Sequence, residues 1–141
     1  MSGDSDGSGH ALQEINPRVL VADDRADHLA LARTLLQSMG CSVDTVNDGT
    51  AAVDAVWRAA SRGTAYDLIL MDVQLPSLDA WAATRALRTA GHSGPIFAVS
   101  AVADRVRPAR DGRSVFDATI PKPLTREGLA EASRATLASR G

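Results

Sequence analysis

The sequence predicts a doubly wound α/β domain, in which helices cover both faces of a parallel sheet of five strands. Short apolar runs alternate along the chain with longer segments whose apolar residues recur at helical spacing. The run at residues 66–72 (YDLILMD) contains four consecutive apolar residues, which is typical of a central parallel strand buried on both faces. Strand–helix units in succession require crossovers, and these place helices on both faces of the sheet.

Two strand–helix units precede this central strand. Gly40 and Gly63 follow stretches of helical spacing and are expected to stop the helices there. Residues 47–49 (NDG) predict a turn or a helix N-cap. The predicted elements of this half are a strand at 18–24, a helix at 26–40, a strand at 41–46 and a helix at 50–63.

The second half continues the alternation, with one weak segment. Asp79 and Thr125 are candidate N-caps for the helices that follow them. Pro108 and Gly112 oppose a long helix in residues 102–115, so the fourth helix is predicted to be shortened or atypical. The predicted elements of this half are a helix at 80–91, a strand at 94–101, a strand at 116–120 and a helix at 124–139.

Length and composition limit the class of protein. The 141 residues suit one domain, and we expect a tail or linker at residues 1–16 and the folded domain at 17–141. A net charge of −2 argues against a general nucleic-acid or membrane-surface binder. No apolar run approaches a membrane span, no signal peptide is recognisable, and Cys41 has no partner for an internal disulfide. We therefore expect a cytoplasmic protein.

Polar side chains stand where the predicted strands end. Asp23 and Asp24 close the first strand, Asp72 the third and Ser100 the fourth, and Lys122 follows the fifth. Right-handed crossovers bring these strand ends to one edge of the sheet, where ligands of open sheets bind. Three carboxylates together require a protonated member or a cation, and oxygen ligands favour Mg²⁺ or Mn²⁺. The three histidines are scattered along the chain, which disfavours a histidine-based metal or proton-relay site.

Each of these residues also has an ordinary structural interpretation. An acid can cap a helix or stabilise a turn, and a serine can be a small residue at a strand end. Lys122 is the one lysine beside 14 arginines, which either codon bias or a requirement for a compact ammonium would explain. The ordered combination at four strand ends favours a functional site.

Four segments together resemble a two-component response-regulator receiver domain of the CheY-like superfamily. VLVADD resembles the acidic pair after the first strand, and LILMDVQLPSLDAWAATRALR resembles the phosphoacceptor segment. AVSA and IPKPL resemble the hydroxyl-bearing fourth strand and the Lys-Pro turn, and Ser100 and Lys122 are 22 residues apart, in line with the family. The resemblance covers roughly residues 17–139 and implies a flavodoxin-like strand order of 2-1-3-4-5.

The resemblance also implies a phosphorylation site. Asp72 would accept a phosphoryl group from a phosphohistidine on a histidine kinase or a histidine phosphotransfer protein. Asp24 and Asp72 would ligate Mg²⁺ directly and Asp23 through water, and the backbone carbonyl of Gln74 would add a ligand. Phosphoryl transfer needs charge neutralisation and in-line positioning more than covalent help, which agrees with these roles.

The resemblance assigns the switch to the remaining strand ends. Lys122 would pair with Asp72 and then with the phosphoryl group, and Ser100 would hydrogen-bond that group and move towards it. Their movement would signal to a downstream protein through the face formed by the fourth helix, the fifth strand and the last helix. The Lys122–Pro123 bond would be cis, as in the family.

Several positions depart from the family pattern. Thr119 occupies the place of an aromatic switch residue, and Ala80 stands where glycine is usual. Gln74 and Val102 occupy the two positions that tune the lifetime of the acyl phosphate. Because the Val102 side chain cannot position water, we expect slow to moderate self-dephosphorylation. These departures predict intact phosphorylation chemistry with an atypical output face.

The expected function is therefore Mg²⁺-dependent phosphorelay signalling in bacteria, without enzymatic turnover of a separate substrate and without binding nucleic acid or membrane. The alternative is a degenerate receiver that acts as a phosphorylation-independent interaction module. A phosphatase of the haloacid-dehalogenase type is disfavoured because Asp23 and Asp24 are adjacent instead of two apart. A dinucleotide site is disfavoured because the DDRAD loop is acidic. The chain would be a stand-alone regulator, a phosphate shuttle or the receiver of a hybrid histidine kinase.

Overall fold

The computed structural model describes residues 16–73, 80–101 and 116–140. These residues form five strands and four helices. The elements are β1 (Arg18–Ala22), α1 (Ala26–Ser38), β2 (Ser42–Val46), α2 (Gly49–Ser61), β3 (Leu68–Asp72), α3 (Ala80–Thr89), β4 (Ile96–Ser100), β5 (Ala118–Pro121) and α4 (Arg126–Arg140). In this part of the chain no helix combines the length and the apolar composition that crossing a membrane requires. The shortened helix predicted at 102–115, the Asp79 cap and nearly all of the predicted tail lie outside these residues.

The five strands form one sheet in the order β2-β1-β3-β4-β5, and every neighbouring pair is parallel. The predicted fold class and strand order are therefore confirmed. β3 lies at the centre, as its uninterrupted apolar run predicts. Because all strands run in one direction, their carboxyl ends share one edge of the sheet.

The sheet is buried on both faces because successive strand residues point to opposite sides. On β1, Leu20 and Ala22 belong to the core on one face, while Val19 and Val21 belong to the core on the other. Helices α2 and α3 cover the first face, and α1 and α4 cover the second. A fully buried leucine or isoleucine contributes about 1.5–3 kcal/mol, so both layers hold the strand ends in fixed positions.

Helix ends follow the sequence signals closely. Gly40 and Gly63 have φ angles of +90° and +73°, a left-handed conformation that favours glycine after a helix. The helices themselves end two residues earlier than predicted, at Ser38 and Ser61, because the capping residues Met39 and Arg62 and the left-handed glycine lie beyond the last helical turn.

Helix starts also confirm predicted caps. The Asp48 side chain accepts a hydrogen bond of 2.7 Å from the Ala51 amide at the start of α2. Thr125 Oγ1 accepts one of 3.0 Å from the Gly128 amide at the start of α4. Each bond satisfies one amide that lacks a partner within the helix.

Strands β1 and β3 are shorter than predicted, and polar side chains just beyond them form additional hydrogen bonds. Asp23 follows β1, and its Oδ1 accepts a hydrogen bond from the Arg25 amide. Before β3, Asp67 accepts a hydrogen bond from the Arg18 amide, and the Tyr66 hydroxyl donates to Asp44 Oδ2 over 2.7 Å. These contacts fix the chain where it enters and leaves the central strands.

The Asp48 cap gives a direct test of local stability. Replacing Asp48 with Ala should lower the free energy of unfolding by about 1 kcal/mol, because the Ala51 amide loses its acceptor. Asp48→Asn keeps a side-chain oxygen in the same place and should cost much less. Urea unfolding followed by circular dichroism measures both, and equal losses in the two variants would contradict the capping role.

Candidate functional site

The carboxyl edge of the sheet brings together the polar residues predicted to meet there. Asp23 and Asp24 follow β1, Asp72 is the last residue of β3, and Ser100 is the last residue of β4. One carboxylate oxygen from each of the three aspartates lies within 4.8 Å of the others. Lys122 follows β5, and its amide donates a 2.9 Å hydrogen bond to the Ser100 carbonyl. The sheet register thus assembles five residues that are up to 99 positions apart.

The Lys122 ammonium bridges two buried carboxylates. Its Nζ donates to Asp72 Oδ2 over 2.9 Å and to Asp23 Oδ2 over 3.1 Å. The two aspartate side chains are 4% and 7% exposed, and the lysine side chain is 16% exposed. Burial by itself lowers the pKa of Lys122, but the hydrogen bonds to Asp72 and Asp23 outweigh burial and raise that pKa above its ordinary value. The lysine is therefore charged.

The turn after β5 fixes the position of this lysine. The peptide bond between Lys122 and Pro123 is cis, the isomer expected from the family resemblance. Pro121 ends β5 in register with Ser100. The lysine is thus anchored on its N-terminal side by the sheet and continues into a proline turn.

Asp24 differs from its two acidic neighbours because it is exposed, whereas Asp23 and Asp72 are 5% and 4% exposed. Three carboxylates against one ammonium leave the cluster with an excess of negative charge. Oxygen ligands with this charge are those that a hard divalent cation prefers. The residues present therefore fit a cation bound between Asp23, Asp24 and Asp72, with Asp24 on the solvent side.

His28 is a further member of the site that the sequence analysis did not assign. Its Nδ1 lies 3.0 Å from Lys122 Nζ and 3.2 Å from Asp23 Oδ2. Because the three histidines lie far apart along the chain, a role for His28 in this site was not predicted. His28 stands four residues after Asp24, in the first turn of the helix that follows the acidic pair, and this spacing could have indicated its approach to the site.

Thr119 lies in β5, half-buried and in register with Ala98, so a small polar side chain occupies the position of the aromatic switch residue. Gln74 and Val102 lie outside the described residues, and their proposed roles stay predictions.

A comparison with protein families decides the relationship. The family model described as the response regulator receiver domain matches residues 19–134. The chain belongs to this receiver family. It is a receiver domain of two-component signalling, so the resemblance of its four sequence segments to this family is confirmed.

Curated relatives of this receiver domain are much longer proteins. The chain is 38% identical over 128 residues to the sensor protein GacS of Pseudomonas syringae pv. syringae, an alignment that covers 87% of the chain and 14% of that protein. It is 35% identical over 124 residues to the hybrid signal transduction histidine kinase I of Dictyostelium discoideum, covering 84% of the chain and 7% of the kinase. The chain thus spans a small part of these relatives.

Solved receiver domains share the fold. One is the receiver of the histidine kinase CKI1 from Arabidopsis thaliana, complexed with Mg²⁺ and BeF₃⁻, with a TM-score of 0.67 and 27% identity over 91% of this chain and 95% of that chain. Another is the receiver of a sensor histidine kinase from Pseudomonas aeruginosa PAO1 with a magnesium ion in its active-site cleft, with a TM-score of 0.67 and 28% identity over 86% of this chain and 98% of that one.

The lysine bridge predicts a large energetic effect. Lys122→Met should lower the free energy of unfolding in EDTA by about 3 kcal/mol, because it leaves two buried carboxylates without their cation. Adding Asp23→Asn to this variant should cost less than the sum of the single effects, since it removes one of those charges. Urea unfolding of the four proteins measures the coupling.

Arg58→Met is the matched control, because it breaks the exposed ion pair between Arg58 and Asp54. It should change the free energy of unfolding by at most about 0.5 kcal/mol. Strict additivity of Lys122→Met and Asp23→Asn would contradict the buried bridge.

Proposed function

We propose that this receiver domain accepts a phosphoryl group on Asp72 in a Mg²⁺-dependent reaction. The observation that carries the proposal is the buried Asp72 carboxylate, 2.9 Å from the Lys122 ammonium and within 4.8 Å of two further carboxylates. The donor would be a phosphohistidine on a histidine kinase or on a histidine phosphotransfer protein. The relatives support this partner class because several of them are sensor or hybrid kinases.

Transfer moves one phosphoryl group between two side chains. An Asp72 oxygen forms a bond to phosphorus as the phosphorus–nitrogen bond of the donor breaks, and the donor imidazole keeps that electron pair. A carboxylate attacks an anionic phosphoryl group slowly unless positive charge screens both partners. Lys122 supplies one such charge directly at Asp72. When bound, Mg²⁺ (or Mn²⁺) would neutralise charge on the phosphoryl oxygens.

The residues that would hold this cation are Asp23, Asp24 and Asp72, with the backbone carbonyl of Gln74. Asp23 and Asp72 also bind Lys122, so a bound cation and the ammonium would share these two carboxylates.

The switch would follow from the same contacts. After transfer, Lys122 would follow the oxygen from carboxylate to phosphoryl, and Ser100 would donate its hydroxyl to another phosphoryl oxygen. Ser100 and Lys122 are joined through a backbone hydrogen bond, so a movement of either backbone would be passed between β4 and β5. The surface that reports the change would comprise residues 102–115, β5 and α4, with Thr119 in place of an aromatic toggle. A downstream protein in the cytoplasm would read it.

Phosphorylation of Asp72 is the first test. Incubation with ³²P-labelled acetyl phosphate and Mg²⁺, or with a candidate histidine kinase and labelled ATP, should label the wild type, whereas EDTA should abolish labelling. Asp72→Asn should not be labelled. Asp67→Asn removes a carboxylate just before the same strand, at the opposite edge of the sheet, and should be labelled normally. An unlabelled wild type would favour the phosphorylation-independent interaction module instead.

The lifetime of the acyl phosphate is the second test. Val102→Asn should speed self-dephosphorylation several-fold, because an amide can hydrogen-bond the attacking water and valine cannot. Decay of the labelled protein after removal of the donor measures the rate. An unchanged rate would argue against the lifetime role of Val102.

A further inference from the structure

The Lys122 ammonium has three acceptors within 3.1 Å, as many as it has N–H bonds. Two are the carboxylate oxygens Asp72 Oδ2 and Asp23 Oδ2, and the third is His28 Nδ1. The family resemblance assigned the first pairing and left the histidine without a role. A third acceptor completes the hydrogen bonding of the ammonium and fixes its direction as well as its distance from Asp72.

The contact defines how His28 takes part. An ammonium offers only protons, so a hydrogen bond across the 3.0 Å between Lys122 Nζ and His28 Nδ1 requires the ring nitrogen to present its lone pair. In such a bond the ring carries its proton on Nε2 and accepts at Nδ1. Nδ1 also lies 3.2 Å from Asp23 Oδ2, so both atoms lie beside the same ammonium.

His28 differs from the other two acceptors in one respect. Asp23 and Asp72 are the carboxylates that would also bind the cation, and a divalent ion withdraws electron density from them and repels the ammonium. His28 lies outside that ligand set. It is thus the acceptor that would remain with Lys122 alone if a cation shared the carboxylates.

We propose that His28 is a positioning residue that holds the Lys122 ammonium beside Asp72 when the acidic cluster binds its cation. The role in the reaction rests on the proposed phosphorylation of Asp72. The bond between His28 and Lys122 is a property of the protein alone and is testable without any phosphoryl donor.

The partial exposure of His28 allows it to be replaced without disrupting the hydrophobic core. Its side chain is 30% exposed and lines a cavity of about 870 Å³ between α1 and the turn after β5. Helix α1 is anchored in the core by Ala32 and Leu36, which are both buried. His28→Leu removes the acceptor, whereas His28→Asn restores an oxygen at the place of Nδ1.

The lone lysine gives a spectroscopic test. In protein labelled with ¹⁵N-lysine, the side-chain ammonium region holds one signal, that of Lys122. Without metal, His28→Leu should shift this signal and speed exchange of its protons with water, and His28→Asn should move both back towards the wild type. An unchanged signal in His28→Leu would overturn the proposal.

Kinetics test the role in the reaction. With acetyl phosphate at saturating Mg²⁺, His28→Leu should lower the maximal phosphorylation rate about tenfold, while the half-saturating Mg²⁺ concentration changes little. His28→Asn should recover most of the rate. Thr34→Leu places the same side chain on an exposed position of α1 that lines the same cavity, and this variant should behave as wild type.

The outcomes separate the two proposals. A wild-type rate in His28→Leu would overturn the positioning role and leave phosphorylation of Asp72 intact. A wild-type protein that accepts no phosphoryl group would overturn the proposed function and with it the role of His28 in the reaction, while the lysine signal would still decide the bond itself.

Discussion

The site depends on one electrostatic arrangement, the Lys122 ammonium between the buried carboxylates of Asp23 and Asp72. Two buried negative charges a few ångströms apart are unfavourable without a cation, and the ammonium makes their burial possible. The parallel sheet serves this arrangement because it delivers β1, β3 and β5 to the same edge. Apolar layers on both faces then hold the strand ends rigid, so that the charges keep their distances.

The chemistry of lysine suits this place better than that of arginine. An ammonium is compact and distributes three equivalent protons among Asp72, Asp23 and His28, whereas a planar guanidinium favours two parallel bonds to one carboxylate. A compact cation on a flexible stem also follows an oxygen that moves from carboxylate to phosphoryl. The presence of one lysine beside 14 arginines agrees with this requirement.

Most of the fold could be predicted from the sequence because apolar runs, glycine stops and caps are local signals. Gly40, Asp48 and Thr125 act as their residue types predict. The site positions also followed, since parallel strands share one edge. The pairing of Lys122 with Asp23, and the approach of His28, could not be read from the sequence. The first depends on how the side chains after β1 and β5 meet, and the second on the direction in which α1 leaves β1, both of which tertiary packing determines.

The most direct measurement is the ¹⁵N signal of the Lys122 ammonium as beryllofluoride, a mimic of the phosphoryl group, is added at saturating Mg²⁺ to the lysine-labelled chain. The account predicts a saturable shift of this signal in the wild type and none in Asp72→Ala, because the ammonium would leave a carboxylate for a bound phosphoryl mimic. A wild-type signal that stays unchanged at saturating Mg²⁺ and beryllofluoride would contradict the central role of Lys122.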